Sequence, residues 1–172
     1  IGISASLVIF LIVQYDFSFD KHHTDGERIY RAVTNFEFAG EEYKNSGITA
    51  PMVDALRKEA TGIELVAPFR ILDFEGKVHI PVQGKDQRIV FKKQEDFIAV
   101  DQAYFNLISY EWLAGNPSAS LRDPYQVVLT KSRAKLYFPD LKPLEIIGRE
   151  FFMDDSVRLT VSGIVNDQDK KT

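Results

Sequence analysis

The stretch REFFMDDSVRLTVS, residues 149–162, carries the clearest structural pattern in the sequence. Residues 149–153 form a mostly apolar run, and 154–156 supply the Asp and Ser that tight turns favour. Beyond the turn, apolar residues alternate with polar ones, at Val157, Leu159 and Val161. Because alternation with a period of two places every second side chain on one face of a strand, the stretch predicts a β-hairpin with one face in the core and the other in solvent.

The residues just before this hairpin predict a strand followed by a helix. Residues 127–129 are apolar and short enough for a buried strand, and the Thr130 hydroxyl can cap a helix over residues 131–138. Pro139 then ends the helix. Its inner face is expected to contain Ala134, Tyr137 and Phe138.

Similar patterns cover the preceding chain and define the fold class. Thr49 and Asp101 can each cap a helix, and Gly62 is a stop for the first of these helices. The mixture of hairpins with a few short helices predicts an α+β fold with mixed, mainly antiparallel sheets, because strands and helices do not alternate as a doubly wound sheet requires. The expected elements are strands at 28–38, 64–71, 78–82 and 88–100, a turn at 84–86, helices at 49–61 and 101–108, and a loop at 115–117.

Composition limits the classes of function. A chain of 172 residues that is 45% hydrophobic can bury a core. Its 21 basic and 25 acidic residues give a formal net charge of -4, and they form no basic block of the kind that binds nucleic acid. The absence of cysteine excludes disulfides, thiolate metal sites and a cysteine nucleophile.

The first 13 residues, IGISASLVIFLIV, are apolar and carry no charge. A complete membrane helix needs roughly 20 such residues, and a secretory signal would begin with a basic segment. We therefore expect the outer part of a transmembrane helix that begins before residue 1, with Tyr15 at the membrane interface. A buried core element is the alternative, because a run that is apolar on every face has no diagnostic periodicity.

The sequence lacks the common motifs of catalysis and nucleotide binding. It contains no GxxxxGK[ST] or GxGxxG phosphate-binding loop and no GxSxG nucleophile motif. His79 falls inside a predicted strand, where a surface or hydrogen-bonded imidazole is the expected role.

A cluster of possible metal ligands lies at Asp20, His22, His23 and Asp25. Its spacing is unfavourable, since adjacent histidines point in different directions on either a helix or a strand. We expect a solvated, helix-capping or membrane-proximal connector there. Asp154 and Asp155 are likewise expected to be turn residues without an acid–base role.

Basic and aromatic residues alternate over 88–93 (RIVFKK), as they do in some single-strand binders. Ordinary strand alternation explains the pattern, with Ile89 and Phe91 inward and Arg88 and Lys92 outward. Another aromatic group is expected to be core, not a ligand cage: Tyr104, Phe105 and Trp112.

Five phrases in order resemble the periplasmic core domain of MacB-like ABC-transporter permeases of the FtsX-like branch. They begin with SFDKHHTDGERIYRAVTNF and are distributed in order from residue 18 to residue 167. The sequence departs from the family pattern at KPLEIIG, residues 142–148, which puts only a loop in doubt. The five phrases are residues 18–36, 49–56, 100–138, 146–153 and 159–167.

The resemblance implies a truncated first transmembrane helix at 1–14 and a periplasmic core domain at 15–172. Within that domain it implies a membrane-near β-α-β lobe at about 27–75, and an inserted lobe with the start of the return at 76–172. The implied location is the periplasmic side of a bacterial inner membrane.

The implied function is the relay of ATP-driven motion to export or gating outside that membrane. The implied partners are a separate cytoplasmic ATPase that binds the ATP, a second permease copy, and a periplasmic adaptor. The family provides no catalytic, cofactor-binding or metal-binding residues in this domain, so the chain is expected not to be an enzyme.

Two other classes of function remain open at this stage. A ligand-sensing extracytoplasmic domain of a membrane receptor would contain an enclosed pocket with converging polar groups. A membrane-anchored hydrolase would use the cluster at residues 20–25 and would bind a metal.

Overall fold

The computed structural model describes residues 2–17, 25–82, 84 and 86–168. A single 3₁₀ turn covers Gly26–Arg28. The helices are α1 (Gly2–Asp16), α2 (Ala50–Glu59), α3 (Gln102–Leu107), α4 (Lys131–Tyr137) and α5 (Pro143–Ile146). The strands are β1 (Thr34–Phe38), β2 (Glu41–Asn45), β3 (Phe69–Leu72), β4 (Gly76–Pro81), β5 (Arg88–Gln94), β6 (Phe97–Val100), β7 (Trp112–Ala114), β8 (Gln126–Thr130), β9 (Glu150–Met153) and β10 (Val157–Val165).

The chain divides into two compact units. Unit 1 comprises Ile1–Thr49 with Gln168–Thr172, and unit 2 comprises Ala50–Asp167. The lobe boundaries implied by the resemblance, 27–75 and 76–172, stay a prediction.

Unit 1 contains α1 and an antiparallel hairpin of β1 and β2. The large apolar side chains of α1 are 44% to 88% exposed, from Val13 at the lower limit to Ile3 at the upper. Among the described residues, no helix has both the length and the apolar character needed to cross a membrane. The strand β1 is shorter than the strand predicted over 28–38, since it begins only at Thr34.

Unit 2 is built on a six-stranded mixed sheet with the order β5-β4-β9-β10-β7, in which β8 also pairs with β10. The long strand β10 has three partners: it runs antiparallel to β7 and β9 and parallel to β8. A separate two-stranded ribbon pairs β3 with β6. This arrangement confirms the predicted α+β class.

The hairpin predicted at 149–162 is the centre of this sheet. Leu159 pairs with Phe151, and Val157 pairs with Met153. Phe151 and Val161 are each 1% exposed, so this part of the predicted apolar face lies in the core, whereas Val157 beside the turn is 37% exposed.

Both predicted helix caps in unit 2 are present. The Asp101 carboxylate accepts a hydrogen bond from the Ala103 backbone N–H at 3.0 Å, and the Thr130 hydroxyl accepts one from the Arg133 N–H at 3.4 Å. The inner face of α4 contains the expected residues, which are 2% to 9% exposed: Ala134, Tyr137 and Phe138.

Several boundaries differ from the prediction, and two of these differences have a clear physical cause. Residues 64–68 do not pair; the Val66 carbonyl instead accepts a hydrogen bond from the Arg57 guanidinium at 2.8 Å. The predicted strand over 88–100 is split into β5 and β6, because Asp96, which lies between them, has a φ of 63°.

Three elements were not predicted from the sequence: the strands β2 and β7 and the helix α5. The strand β7 precedes a turn at Gly115, which has a φ of 76°. The helix α5 replaces the expected loop, with Pro143 in its first turn and the Glu145 carboxylate accepting from the Lys142 N–H at 2.7 Å. The turn predicted at 84–86 includes Lys85, which lies outside the described residues; the hairpin around it is closed by Val82 N–H donating to the Gln87 carbonyl at 2.9 Å.

Two glycines, Gly163 in β10 and Gly115 after β7, allow close packing between β10 and other parts of unit 2. A Cβ on Gly163 would lie 2.5 Å from Cζ3 of Trp112 and 2.9 Å from Oγ of Ser120. A Cβ on Gly115 would lie 2.6 Å from the Ser162 carbonyl. A larger residue therefore does not fit at Gly163 unless the Trp112 and Ser120 side chains move, or at Gly115 unless the backbone at Ser162 moves.

Candidate functional site

The possible metal ligands near the start of the chain fall largely outside the described residues. Asp20, His22 and His23 are not described, and Asp25 precedes the 3₁₀ turn without a side-chain capping bond. Within the described part of the chain, no group of three or more His, Asp or Glu side chains could hold a metal ion. The solvated connector expected at this position stays a prediction.

Asp154 and Asp155 occupy the β9–β10 turn, as expected. Their φ values are 48° and 64°, a left-handed conformation that Asp tolerates better than most residues. The Asp154 carboxylate accepts a hydrogen bond from the Lys77 N–H at 2.8 Å, so this side chain attaches the turn to β4.

The edge strand β5 only partly follows the predicted alternation. The Phe91 ring packs on Tyr137 with the ring centroids 5.2 Å apart, but Ile89 is 49% exposed, so its predicted inward position is wrong. The Arg88 guanidinium lies 4.9 Å from the centroid of the Phe152 ring. The sheet ends at β5, which leaves Ile89 without a neighbouring strand to cover it.

The aromatic residues expected in the core form a half-buried cluster at its edge. Phe105 lies between Trp112 and Tyr110, at centroid distances of 5.1 and 5.5 Å. The Tyr104 and Tyr110 hydroxyls are 3.2 Å apart, and burial, followed by this hydrogen bond, raises the pKa of Tyr110 above its usual range. The rings of these residues pack directly against one another as one group.

A cleft of about 180 Å³ lies between α2, the chain that follows it, and α3. Arg57 spans one side: its guanidinium donates to the Val66 carbonyl at 2.8 Å and pairs with Asp101 at 2.5 Å. The cleft is open to solvent and lacks the enclosed form that the ligand-sensing alternative requires. Its lining residues are Leu56, Arg57, Ile63, Glu64, Leu65, Val66 and Ala103.

A buried polar group, which we call the Gln94 lock, joins α4 to the end of β5. Oε1 of Gln94 accepts hydrogen bonds from Arg133 at 2.6 Å and from the Tyr137 hydroxyl at 2.9 Å. Arg133 also donates to the Glu95 carbonyl at 3.2 Å. Burial raises the pKa of Tyr137, although Arg133 opposes the shift. This group was not predicted from the sequence. The signal that could have indicated it is the i,i+4 spacing of Arg133 and Tyr137, which places both side chains on one helix face.

A second polar contact joins the end of β10 to the start of α4. The Asp167 carboxylate accepts hydrogen bonds from the Ser132 hydroxyl at 2.7 Å and from the Ser132 N–H at 3.2 Å. The hydroxyl bond is the main reason that the pKa of Asp167 lies below its ordinary value. Together with the Gln94 lock, this contact fastens α4 to the sheet at both of its ends.

The ribbon of β3 and β6 exposes one apolar face. Phe69 pairs with Val100 and Ile71 with Ile98, so these side chains share a face. Phe69, Ile71 and Ile98 are 50%, 68% and 44% exposed. The face is a surface feature that the sequence pattern alone does not reveal, since a continuous apolar run is compatible with full burial.

Three comparisons with known proteins bear on this arrangement. The sequence matches the family described as the MacB-like periplasmic core domain over residues 1–172. No curated protein matches the chain.

The chain also resembles solved structures. A domain of a protein described as a permease, from Porphyromonas gingivalis, is 18% identical with a TM-score of 0.56; the match covers 76% of this chain and 51% of that one. The periplasmic region of MacB from Actinobacillus actinomycetemcomitans is 18% identical with a TM-score of 0.46, and the match covers 69% of this chain and 50% of that one. The first similarity shows a shared fold, and the chain spans about half the length of both solved chains.

Proposed function

The chain belongs to the family of MacB-like periplasmic core domains, and from this premise we propose that it is the extracytoplasmic domain of an ABC-transporter permease. In this proposal the domain lies on the periplasmic side of the inner membrane and relays ATP-driven motion to the export or gating of a substrate or partner. Its partners are a cytoplasmic ATPase that binds the ATP, a second permease copy, and a periplasmic adaptor. The observation that carries the proposal is the family match over residues 1–172.

The role proposed is mechanical. A domain that transmits motion must keep its own shape while it moves, because a soft domain would absorb the displacement. Three features of unit 2 support this role: the long central strand β10, the close packing of Trp112 and Ser120 against Gly163, and the Gln94 lock. None of these contacts needs a bound ligand.

The sequence of the segment that follows α1 supports the same role. Between Val13 and Arg28 the sequence contains one glycine, Gly26, and none of the Gly/Ser repeats that make a linker flexible. A short connector of ordinary residues transmits rotation better than a flexible one does.

The experiment measures motion of the domain in the parent transporter reconstituted with its ATPase. Residues 1–172 contain no cysteine, so a Lys135→Cys substitution on the exposed side of α4 provides a site for a spin label in this domain. If two copies assemble, the label-to-label distance distribution should differ between the ADP-bound and vanadate-trapped ATP states. An unchanged distribution would contradict the relay.

A pair of insertions then tests how the motion is transmitted. Six Gly/Ser residues inserted after Asp25 should abolish the distance change while ATP hydrolysis continues. The same insertion at Gly84, in the β4–β5 loop of unit 2, is the matched control and should leave the change intact. Equal behaviour of the two insertions would argue against a stiff connection.

The ligand-sensing alternative makes a different prediction for the same protein. A receptor domain would change its label distances when a small molecule binds, with no dependence on nucleotide. A nucleotide-dependent change alone therefore separates the two functions.

A further inference from the structure

His79 is a buried imidazole with an unsatisfied nitrogen. The residue is 8% exposed, and Nε2 has no hydrogen-bond partner among the described residues. Buried polar side-chain atoms are nearly always hydrogen-bonded, so an unpaired one requires a physical explanation. The explanation offered by the structure lies in the turn beside it.

The nearest charged group is the Asp155 carboxylate, whose Oδ1 lies 3.3 Å from Nε2 of His79. Asp155 is in the β9–β10 turn, with its side chain 70% exposed and a φ of 64°. The turn rests on β4 through a reciprocal pair of bonds: the Asp154 N–H donates to the Lys77 carbonyl at 2.9 Å, and the Lys77 N–H donates to the Asp154 carboxylate at 2.8 Å.

We propose that His79 and Asp155 form a pH-responsive latch that holds the β9–β10 turn more firmly on β4 in acid. Imidazole is the side chain that ordinarily gains its charge between pH 8 and pH 5. In the charged form both ring nitrogens carry a proton, so Nε2 presents a donor to the carboxylate and the contact becomes a charge-assisted hydrogen bond. The carboxylate is exposed enough to move into line with it.

Other charged groups on this face of the sheet act on the latch from neighbouring strands. Arg88 opposes protonation, since its guanidinium lies over the Phe152 ring and Phe152 pairs with His79. Arg158 is paired with Glu150 at 3.8 Å, which reduces its effect. Asp155 has the largest influence because it is within 4 Å of Nε2. The remaining charged groups of these elements are Lys77 on β4, Lys92 on β5 and Asp154 in the turn.

The latch needs only a folded unit 2, so it does not rest on transport. A domain outside the cytoplasm meets the pH of its surroundings, and the latch would make the attachment of the central hairpin depend on that pH. The mechanical stiffness of β9 and β10 would then rise on acidification.

The experiment follows amide hydrogen exchange of Lys77 and Asp154 by NMR in the full 172-residue chain, from pH 8 to pH 5. After correction for intrinsic exchange, protection of both amides should increase about threefold in acid. The increase should disappear in Asp155→Asn, an exposed position where folding is not at risk, and in His79→Gln. Glu150→Gln, on the same face and paired with Arg158, is the matched control and should keep the increase.

The His79 imidazole itself supplies a second measurement. Its Nε2 resonance at pH 5 should change in Asp155→Asn, because the carboxylate 3.3 Å away that accepts its hydrogen bond is lost. Protection that is unchanged or lower in acid would overturn the proposal. So would an equal increase in the wild-type chain and in Asp155→Asn.

Discussion

The β1–β2 hairpin and the β9–β10 hairpin have the same local form and opposite surroundings. Phe36 and Tyr43 stack across the first hairpin with centroids 5.5 Å apart, yet they are 50% and 43% exposed. In the second, Phe151 is 1% exposed and lies under a helix and between neighbouring strands. Cross-strand contacts alone therefore do not determine how much a hairpin contributes to stability.

The same contrast separates the two units. Among the described residues, the buried apolar core belongs to unit 2, from Val78 to Val165. An isolated two-stranded hairpin is only marginally stable in water, whereas a sheet covered by helices is independently stable. We therefore expect substitutions in unit 2 to affect unfolding far more than matched substitutions in unit 1.

The largest effect should come from a matched pair of phenylalanine substitutions. Phe151→Ala leaves a cavity in the core and should lower the free energy of unfolding by about 3–5 kcal/mol. Phe36→Ala removes a half-exposed ring and should cost less than about 1 kcal/mol. Urea unfolding followed by circular dichroism measures both, and similar losses for the two variants would contradict the contrast.

Glycine substitutions compare how closely atoms pack around the backbone in the two units. Gly163→Ala places a methyl group against Trp112 and Ser120 and should cost about 1–3 kcal/mol. Gly47→Ala in unit 1 is the control, since the nearest atom to its Cβ would be 3.9 Å away. We expect the control to change stability by no more than about 0.5 kcal/mol in thermal unfolding. An unchanged stability of Gly163→Ala would show that Trp112 and Ser120 can move away from the added methyl group.

Removal of the Gln94 lock should have a moderate effect. Arg133→Ala deletes the hydrogen bonds to Gln94 and to the Glu95 carbonyl, and should cost about 1–2 kcal/mol. Lys135→Ala, on the exposed side of the same helix, should be close to neutral. Chemical denaturation of both variants checks this, and an equal cost would mean that helix propensity, not the lock, stabilises α4.

The smallest effect concerns acid stability at Asp167. Since hydrogen bonding to Ser132 lowers the pKa of this carboxylate in the folded chain, its contribution is present above the unfolded-state pKa and is lost as pH falls through the folded-state pKa. The contribution should be at most about 1 kcal/mol, because the group is exposed and screened by water.

Ser132→Ala is the variant that measures this contribution. It should be less stable than the wild-type chain at pH 7 and nearly equal to it at pH 2, in thermal unfolding at both pH values. A difference that persists unchanged at pH 2 would exclude Asp167 as its source.

Local patterns were sufficient for the elements whose cause is local. The caps at Asp101 and Thr130 and the turn at Asp154 depend on neighbouring residues, and the structure contains all of them. Elements that depend on distant partners were missed or misplaced. Residues 64–68 have a strand-like composition, but the Arg57 guanidinium takes the carbonyl of Val66.

Less of the candidate site than of the fold could be predicted from the sequence. The parallel pairing of β8 with β10 and the Gln94 lock join residues separated by roughly 35 to 43 positions, and no periodicity encodes such contacts. The family resemblance succeeded where local patterns did not, because five phrases in order carry information about the whole chain.

The contact between Asp167 and Ser132 has a consequence for how unit 2 would respond to tension. Asp167 ends the unit, and it is fixed to α4 beside the strand β8, which runs parallel to β10. Traction applied at Gln168 along the direction of β10 would load the β8–β10 hydrogen bonds in shear, all together, and would not unzip them one at a time. The carboxylate would act as the first anchor to yield, so that acid or a Ser132 substitution would lower the rupture force.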